Sequence, residues 1–252
     1  MDQTSVPQIF DKQRRVQRYL RALRPSRLNA AARYLFEDMV EDVIDRLDFM
    51  QLAEGNALIV GDLTGKLGLE LHKQGFGIWD TGPDVLAEEL PYRDRFFQYI
   101  FSLGTLDTIN DLPGALRHIH EALPKGGLFI GQMIGAGSLP ALRQIMLKAD
   151  GDRPAPRIHP MIDSPAASAL LQRAGFGRQV VDGHSLSVRF SSFDRMIGDL
   201  RDQGQTSVLK NQAPAVGKRG LQRARGAFAE LADKDGKVTE LFEILTLTGW
   251  KS

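Results

Sequence analysis

Ala57-Leu58-Ile59-Val60-Gly61-Asp62-Leu63-Thr64-Gly65-Lys66-Leu67-Gly68 is the stretch that decides the fold. Its first four residues are apolar without alternation, which suits a strand covered on both faces, as in a parallel sheet. Gly61 ends that run, and Gly61 and Gly65 flank Thr64 in a turn tight enough to need glycine. A helical stretch, Leu67 to Gln74, follows, and Gly75 is a natural helix stop. A strand, a glycine turn and a helix in that order bring backbone close to a ligand at the helix start.

Outward from this unit the chain alternates strands and helices. Gly77-Ile78-Trp79 and Phe96 to Leu103 read as strands, Leu112 to Leu123 as a helix, and Leu128 to Met133 as the next strand after the turn Pro124-Lys125-Gly126-Gly127. Helices are expected around Leu139–Ala149, Ala166–Ala174, Phe193–Gln203 and Leu221–Ala232, and strands over Gln179–Phe190 and Phe242–Thr248. Residues 8–50 read as helical with a break near Pro25, the second helix running from about Asn29 to Asp48. This pattern predicts an α/β, Rossmann-like, mostly parallel sheet with helices on both faces. The chain is expected to be one domain over 1–252, with a helical extension (1–54), a cofactor-binding half (55–135) and a substrate-side half (136–252).

The 252 residues are 42% hydrophobic and 25% charged, an ordinary globular balance. A net charge of +1 gives no argument for nucleic acid as a partner. With no cysteine, disulfides, thiolate metal sites and a cysteine nucleophile are excluded. The polar start lacks an apolar signal core, no run approaches a membrane span of ~18 residues, and a cytoplasmic location is the expectation. No metal site is expected. His118 and His120 are two apart on a helix and diverge, His72, His159 and His184 stand alone, and the Asp233–Gly236 turn puts Leu231 and Phe242 where a calcium loop needs its end ligands.

Several segments, taken in order, resemble one family: the S-adenosylmethionine-dependent methyltransferase-like proteins that include BioC-type enzymes and, more closely, a mitochondrial complex I assembly factor. The segments are Ile9-Phe10-Asp11 with its following arginines, the 57–68 loop, Glu88-Glu89-Leu90-Pro91-Tyr92, Ser102 to Leu116, Leu123 to Gln144, Leu170 to Phe176 and Phe242 to Trp250. The resemblance implies a seven-stranded sheet with an antiparallel last strand, S-adenosylmethionine at the carboxyl ends of the first strands, and either methyl transfer or a role in arginine hydroxylation and complex I assembly.

It also implies site residues. Gly61, Asp62, Thr64 and Gly65 form the cofactor loop, Asp80 receives the ribose hydroxyls, Glu88 with Glu89 flanks the adenine, and Gly104, Thr105 and Leu106 line the pocket. Arg153, Arg157 and His159 lie in the 150–165 loop and are candidates to hold an acidic substrate. The chain departs from the family at the middle glycine, here Leu63, at the acid near the strand end, here Ile59, and at an aromatic, here Thr108; Asp107 stands where a histidine is common. The helix and strand usual between the ribose acid and the Glu-x-Leu-Pro step are missing. Two readings stay open: an enzyme transferring a methyl to a small molecule or protein side chain, and a non-catalytic binding or assembly protein. Asn110-Asp111 reads as a helix cap. The arginine-rich start, Arg14 to Arg27, reads mainly as a solvated helix face; it is also a candidate surface for an acidic protein partner, anionic lipid or RNA and, in this fold, a candidate lid.

Overall fold

The computed structural model describes residues 6–23, 31–80, 88–92 and 97–252. The expected break at Pro25, the start of the second helix at Asn29, Arg27 and Phe96 lie outside the described residues. The elements are α1 (Lys12–Ala22), α2 (Tyr34–Met50), β1 (Asn56–Val60), α3 (Lys66–Lys73), β2 (Gly77–Asp80), β3 (Tyr99–Leu103), α4 (Leu112–Ala122), β4 (Leu128–Ile134), α5 (Pro140–Asp150), α6 (Ser164–Ala174), β5 (Gly177–Phe190), α7 (Phe193–Asp202), α8 (Lys218–Leu231) and β6 (Val238–Trp250).

One sheet of six strands runs in the order β2-β1-β3-β4-β6-β5. β2, β1, β3 and β4 are parallel, and β6 is antiparallel to both β4 and β5. The antiparallel last strand is therefore present. The resemblance implied seven strands, and the described residues form six. The segments between Asp80 and Glu88 and between Tyr92 and Phe97 lie outside the described residues.

β1 explains why its apolar run does not alternate. Ala57 and Ile59 join the core beneath α2, α3, α5, α7 and α8, while Leu58 and Val60 join the core beneath α4 and α6. Both faces are covered, so every residue from Ala57 to Val60 is buried. β4 is buried along its whole length between parallel β3 and antiparallel β6.

The helices start where their caps direct them. Asp11 caps α1 through the Arg14 amide, Asp111 caps α4 through Gly114, Asp163 caps α6 through Ala166, and Ser192 caps α7 through Arg195. α2 has no cap of its own; the Gln203 side chain, at the end of α7, accepts from the Leu35 amide at 2.8 Å. α2 then buries Leu35, Phe36, Met39, Val40, Val43 and Leu47 over the sheet.

Candidate functional site

The chain leaves β1 towards β2 on one side and returns through β3 on the other. In an open α/β sheet the crevice at the carboxyl ends of two such strands is where ligands bind. Gly61 follows β1 and Gly104 follows β3, with φ of +88° and +62°. A Cβ on Gly61 would meet the Leu103 carbonyl at 2.3 Å and Thr105 Cγ2 at 2.4 Å; one on Gly104 would meet the Phe36 ring at 2.9 Å. These glycines let the two strand ends and α2 close on one another.

Asp62 is buried and holds its own loop. Its Oδ1 accepts from the Thr64 amide (2.8 Å), the Thr64 hydroxyl (2.6 Å) and the Gly65 amide (3.0 Å), and its Oδ2 accepts from the Leu67 amide (3.0 Å). The carboxylate thus occupies the positive amino end of α3. Leu63 is 4% exposed and turns into the crevice with Leu103 and Phe36.

α1 lies across this crevice. Asn110 Oδ1 accepts from the Ile9 and Phe10 amides, both at 2.8 Å, and its Nδ2 donates to the Phe10 carbonyl. Phe10 also bridges Leu209 in a short antiparallel contact. Asp111 is the helix cap expected of this pair, whereas Asn110 anchors the segment before α1.

Two arginines of α1, Arg15 and Arg18, point inward, which corrects the solvated-face reading for them, while Arg21 keeps it and is exposed. Arg15 and Arg18 are 5% and 6% exposed. Arg15 clamps the Glu88 carboxylate with two bonds of 2.9 and 2.7 Å, and donates to Thr108 Oγ1 and the Thr105 carbonyl. Arg18 donates to Thr108 Oγ1 and the Thr206 carbonyl. The physical reason is a shared ring of acceptors: Glu88, Thr105 and Thr108 replace the water an arginine needs. Burial pushes the Arg18 guanidinium down to about 10 and lifts the Asp107 carboxyl above its usual range. Asp107 Oδ1 is sealed without a hydrogen-bond partner. Tyr19, also on α1, has its phenol raised by burial and then by the charges of Asp80, Asp62 and Glu88.

With α1 in this position a cavity of about 20 Å³ remains at the strand ends, lined by Arg15, Tyr19, Gly61, Leu63, Gly104 and Thr105 among others. That holds one water. A cofactor-sized ligand needs a cleft of roughly 300 Å³ or more.

The other expected site residues fall as follows. Asp80 ends β2 and is exposed. Glu89 accepts from the Asn110 amide at 2.9 Å, just before the α4 cap, and pairs with Lys12. Leu106 packs into the core beneath α4 and α6 rather than beside α1. Arg153 is exposed. Arg157 is paired with Asp150 and lines a separate groove. His159 accepts from the Val208 amide at 2.8 Å and meets the Phe10 ring edge-on. Sequence reasoning missed Arg15, Arg18 and Tyr19 as crevice residues. The available signal was their spacing with Ala22, which puts all four on one side of a helix.

Fold and crevice define the class first: a Rossmann-like sheet with a ligand crevice at its switch point. The pattern of one family, described as a methyltransferase domain, matches residues 31–178. The chain belongs to that family. A protein of Danio rerio named arginine-hydroxylase NDUFAF5, mitochondrial, is 33% identical over 173 residues, covering 66% of this chain and 54% of that protein. A malonyl-[acyl-carrier protein] O-methyltransferase of Xylella fastidiosa (strain M23) is 29% identical over 165 residues, 65% of this chain and 55% of the relative. The chain spans about half the length of the first of these curated relatives. A solved structure from Bacillus halodurans C-125, assigned to the methyltransferases, superposes with a TM-score of 0.53 at 13% identity, covering 84% of this chain and 99% of that one. It shares the fold.

The crevice residues fit S-adenosylmethionine in kind: a glycine turn at each strand end, and at the end of β2 a carboxylate, Asp80, whose charge reaches Tyr19. No described helix is long and apolar enough to cross a membrane.

Proposed function

We propose that this methyltransferase-like protein is an S-adenosylmethionine-dependent methyltransferase whose cofactor enters under α1. The observation that carries the reading is the cavity at the switch point between β1 and β3, walled by Gly61 and Gly104. Asp80 would receive the ribose hydroxyls, the Gly61–Gly65 turn would sit under the amino-acid end, and Glu88 would lie on the adenine side. When bound, the cofactor supplies a methyl on a sulfonium, already activated for transfer. The protein's own task is to align an acceptor and keep water out, so an acid–base pair is not required. α1 is the lid, and the Arg15–Glu88 pair its latch. The acceptor is a small molecule or a protein side chain, the chain acts as one domain, and its location is cytoplasmic.

A second reading has its own observation. Leu63 and α1 together fill the crevice, as they would in a protein that kept the fold for assembly rather than catalysis. The mitochondrial relatives named arginine-hydroxylase favour looking for a protein partner under that reading.

Calorimetric titration with S-adenosylmethionine and S-adenosylhomocysteine separates the two. Micromolar binding is expected, weakened at least tenfold by Asp80→Ala and strengthened about tenfold by Leu63→Gly, which removes the side chain now in the crevice. Absence of binding at millimolar ligand, by folded wild-type protein and by Leu63→Gly alike, overturns the enzyme reading.

A further inference from the structure

We propose that the groove between α5, α7 and the 150–165 loop is the acceptor site, and that it takes an amphiphile with an apolar body and a carboxylate or phosphate head. The inference deepens the methyltransferase reading and rests on it. The groove has a volume of about 360 Å³, the size of a small-molecule site. Its floor is apolar: Leu142 and Met146 from α5, Ile197 and Leu200 from α7, and Ile158 from the loop. Such a floor gains from an apolar ligand by removing both surfaces from water.

The rim carries three arginines, Arg14, Arg157 and Arg201. Arg157 is matched by the Asp150 carboxylate, with Nε at 2.9 and 3.0 Å and Nη2 at 2.5 Å. Arg14 donates to the Leu209 carbonyl at 2.9 Å and to the Gln212 side-chain oxygen, and has Asp11 at 3.9 Å. Arg201 ends α7, is exposed, and makes no ion pair among the described residues. Positive charge therefore exceeds negative charge around an apolar floor. A neutral apolar ligand would leave the rim unused, and a small anion would leave the floor wet; a molecule carrying both parts satisfies both.

Position ties the groove to the chemistry. Gln205 lines both the groove and the cavity at Gly61. Arg14, on the rim, is the chain neighbour of Arg15, in the cavity wall. A ligand in the groove thus lies next to the cofactor crevice, where an acceptor has to be.

The test uses the full chain and calorimetry at low salt, with octyl phosphate, octanoate, octanol and inorganic phosphate below any micelle concentration. Octyl phosphate and octanoate are expected to bind at least tenfold more tightly than octanol or inorganic phosphate, and whichever of the two is tighter names the head. Arg201→Glu, at an exposed position, is expected to weaken both at least tenfold while leaving S-adenosylhomocysteine binding unchanged. Met146→Glu is expected to do the same from the floor. Equal binding of octanol, or binding indifferent to both substitutions, overturns the proposal. If S-adenosylhomocysteine binds and neither anionic amphiphile does, the groove inference falls alone. If the amphiphiles bind and S-adenosylhomocysteine does not, the methyltransferase reading falls and the groove stands as an amphiphile site.

Discussion

Arg15 and Glu88 carry most of the argument at the scale of single residues. Their side chains are 6% and 1% exposed. A buried pair of this kind holds geometry more than it adds stability, because both ions have lost their water. Removing one partner strands the other. Glu88→Ala is therefore expected to cost about 3–5 kcal/mol, and the double change Arg15→Met with Glu88→Leu to cost far less or nothing. Urea denaturation of Arg15→Met, Glu88→Leu and the double checks this; additive losses would mean that the pair is not coupled. Glu88 was legible as a site residue from its place in Glu88–Tyr92, but its partner was not. A run of arginines reads as a solvated face, and nothing local says which of them meets acceptors some 70 or more residues away. Leu63 was legible as a departure from the glycine pattern; that it closes the crevice depends on Phe36 and Leu103, which only packing brings to it.

At the scale of elements, the segment before α1 is pinned through His159, and that pin titrates. Burial, with the Arg18 charge adding, pushes the imidazole down to about 3. An unfolded histidine titrates near ~6.5. Between those values the unfolded chain binds the proton and the folded chain does not, so stability is full above about pH 6.5 and is lost as pH falls towards 3. The loss is about 1.4 kcal/mol per pH unit, or roughly 2 kcal/mol between pH 6.5 and 5. Asp107, raised by burial, works with the opposite sign: its protonation favours the folded form at low pH and offsets part of the loss. The observable is local: the protection of the Val208 and Asp11 amides, which bond to His159 and to the Val208 carbonyl, taken relative to the intrinsic exchange rate at each pH, is expected to fall by about tenfold or more between pH 6.5 and 5. His159→Gln keeps an acceptor without the titration and is expected to flatten that dependence; an unchanged slope would assign it to another group. Most elements were legible because their signals are local. Gly75 stops α3 at φ +90°, and Asp111 and Asp163 cap their helices. The role of Asn110 was hidden for the opposite reason, its partners lying about 100 residues away.

For the whole molecule, the order β2-β1-β3-β4-β6-β5 puts the switch point under α1 and leaves the amphiphile groove beside it. The α/β class followed from the alternation of strands and helices, and the antiparallel last strand from the resemblance. Six of the seven strands that the resemblance implied are formed by the described residues. The same geometry makes a prediction about motion. The 20 Å³ left at the strand ends cannot admit a cofactor while α1 stays in place, so a bound state must displace that helix. The chain has no cysteine, and a single thiol therefore reports without background. Ala22 is 1% exposed at the end of α1, against Gly204. In Ala22→Cys, thiol labelling is expected to be slow, to accelerate at least tenfold with Glu88→Ala, which removes the latch, and to accelerate again when S-adenosylhomocysteine is bound. Binding with no change in labelling would place the cofactor elsewhere, and α1 would then be a fixed part of the wall rather than a lid.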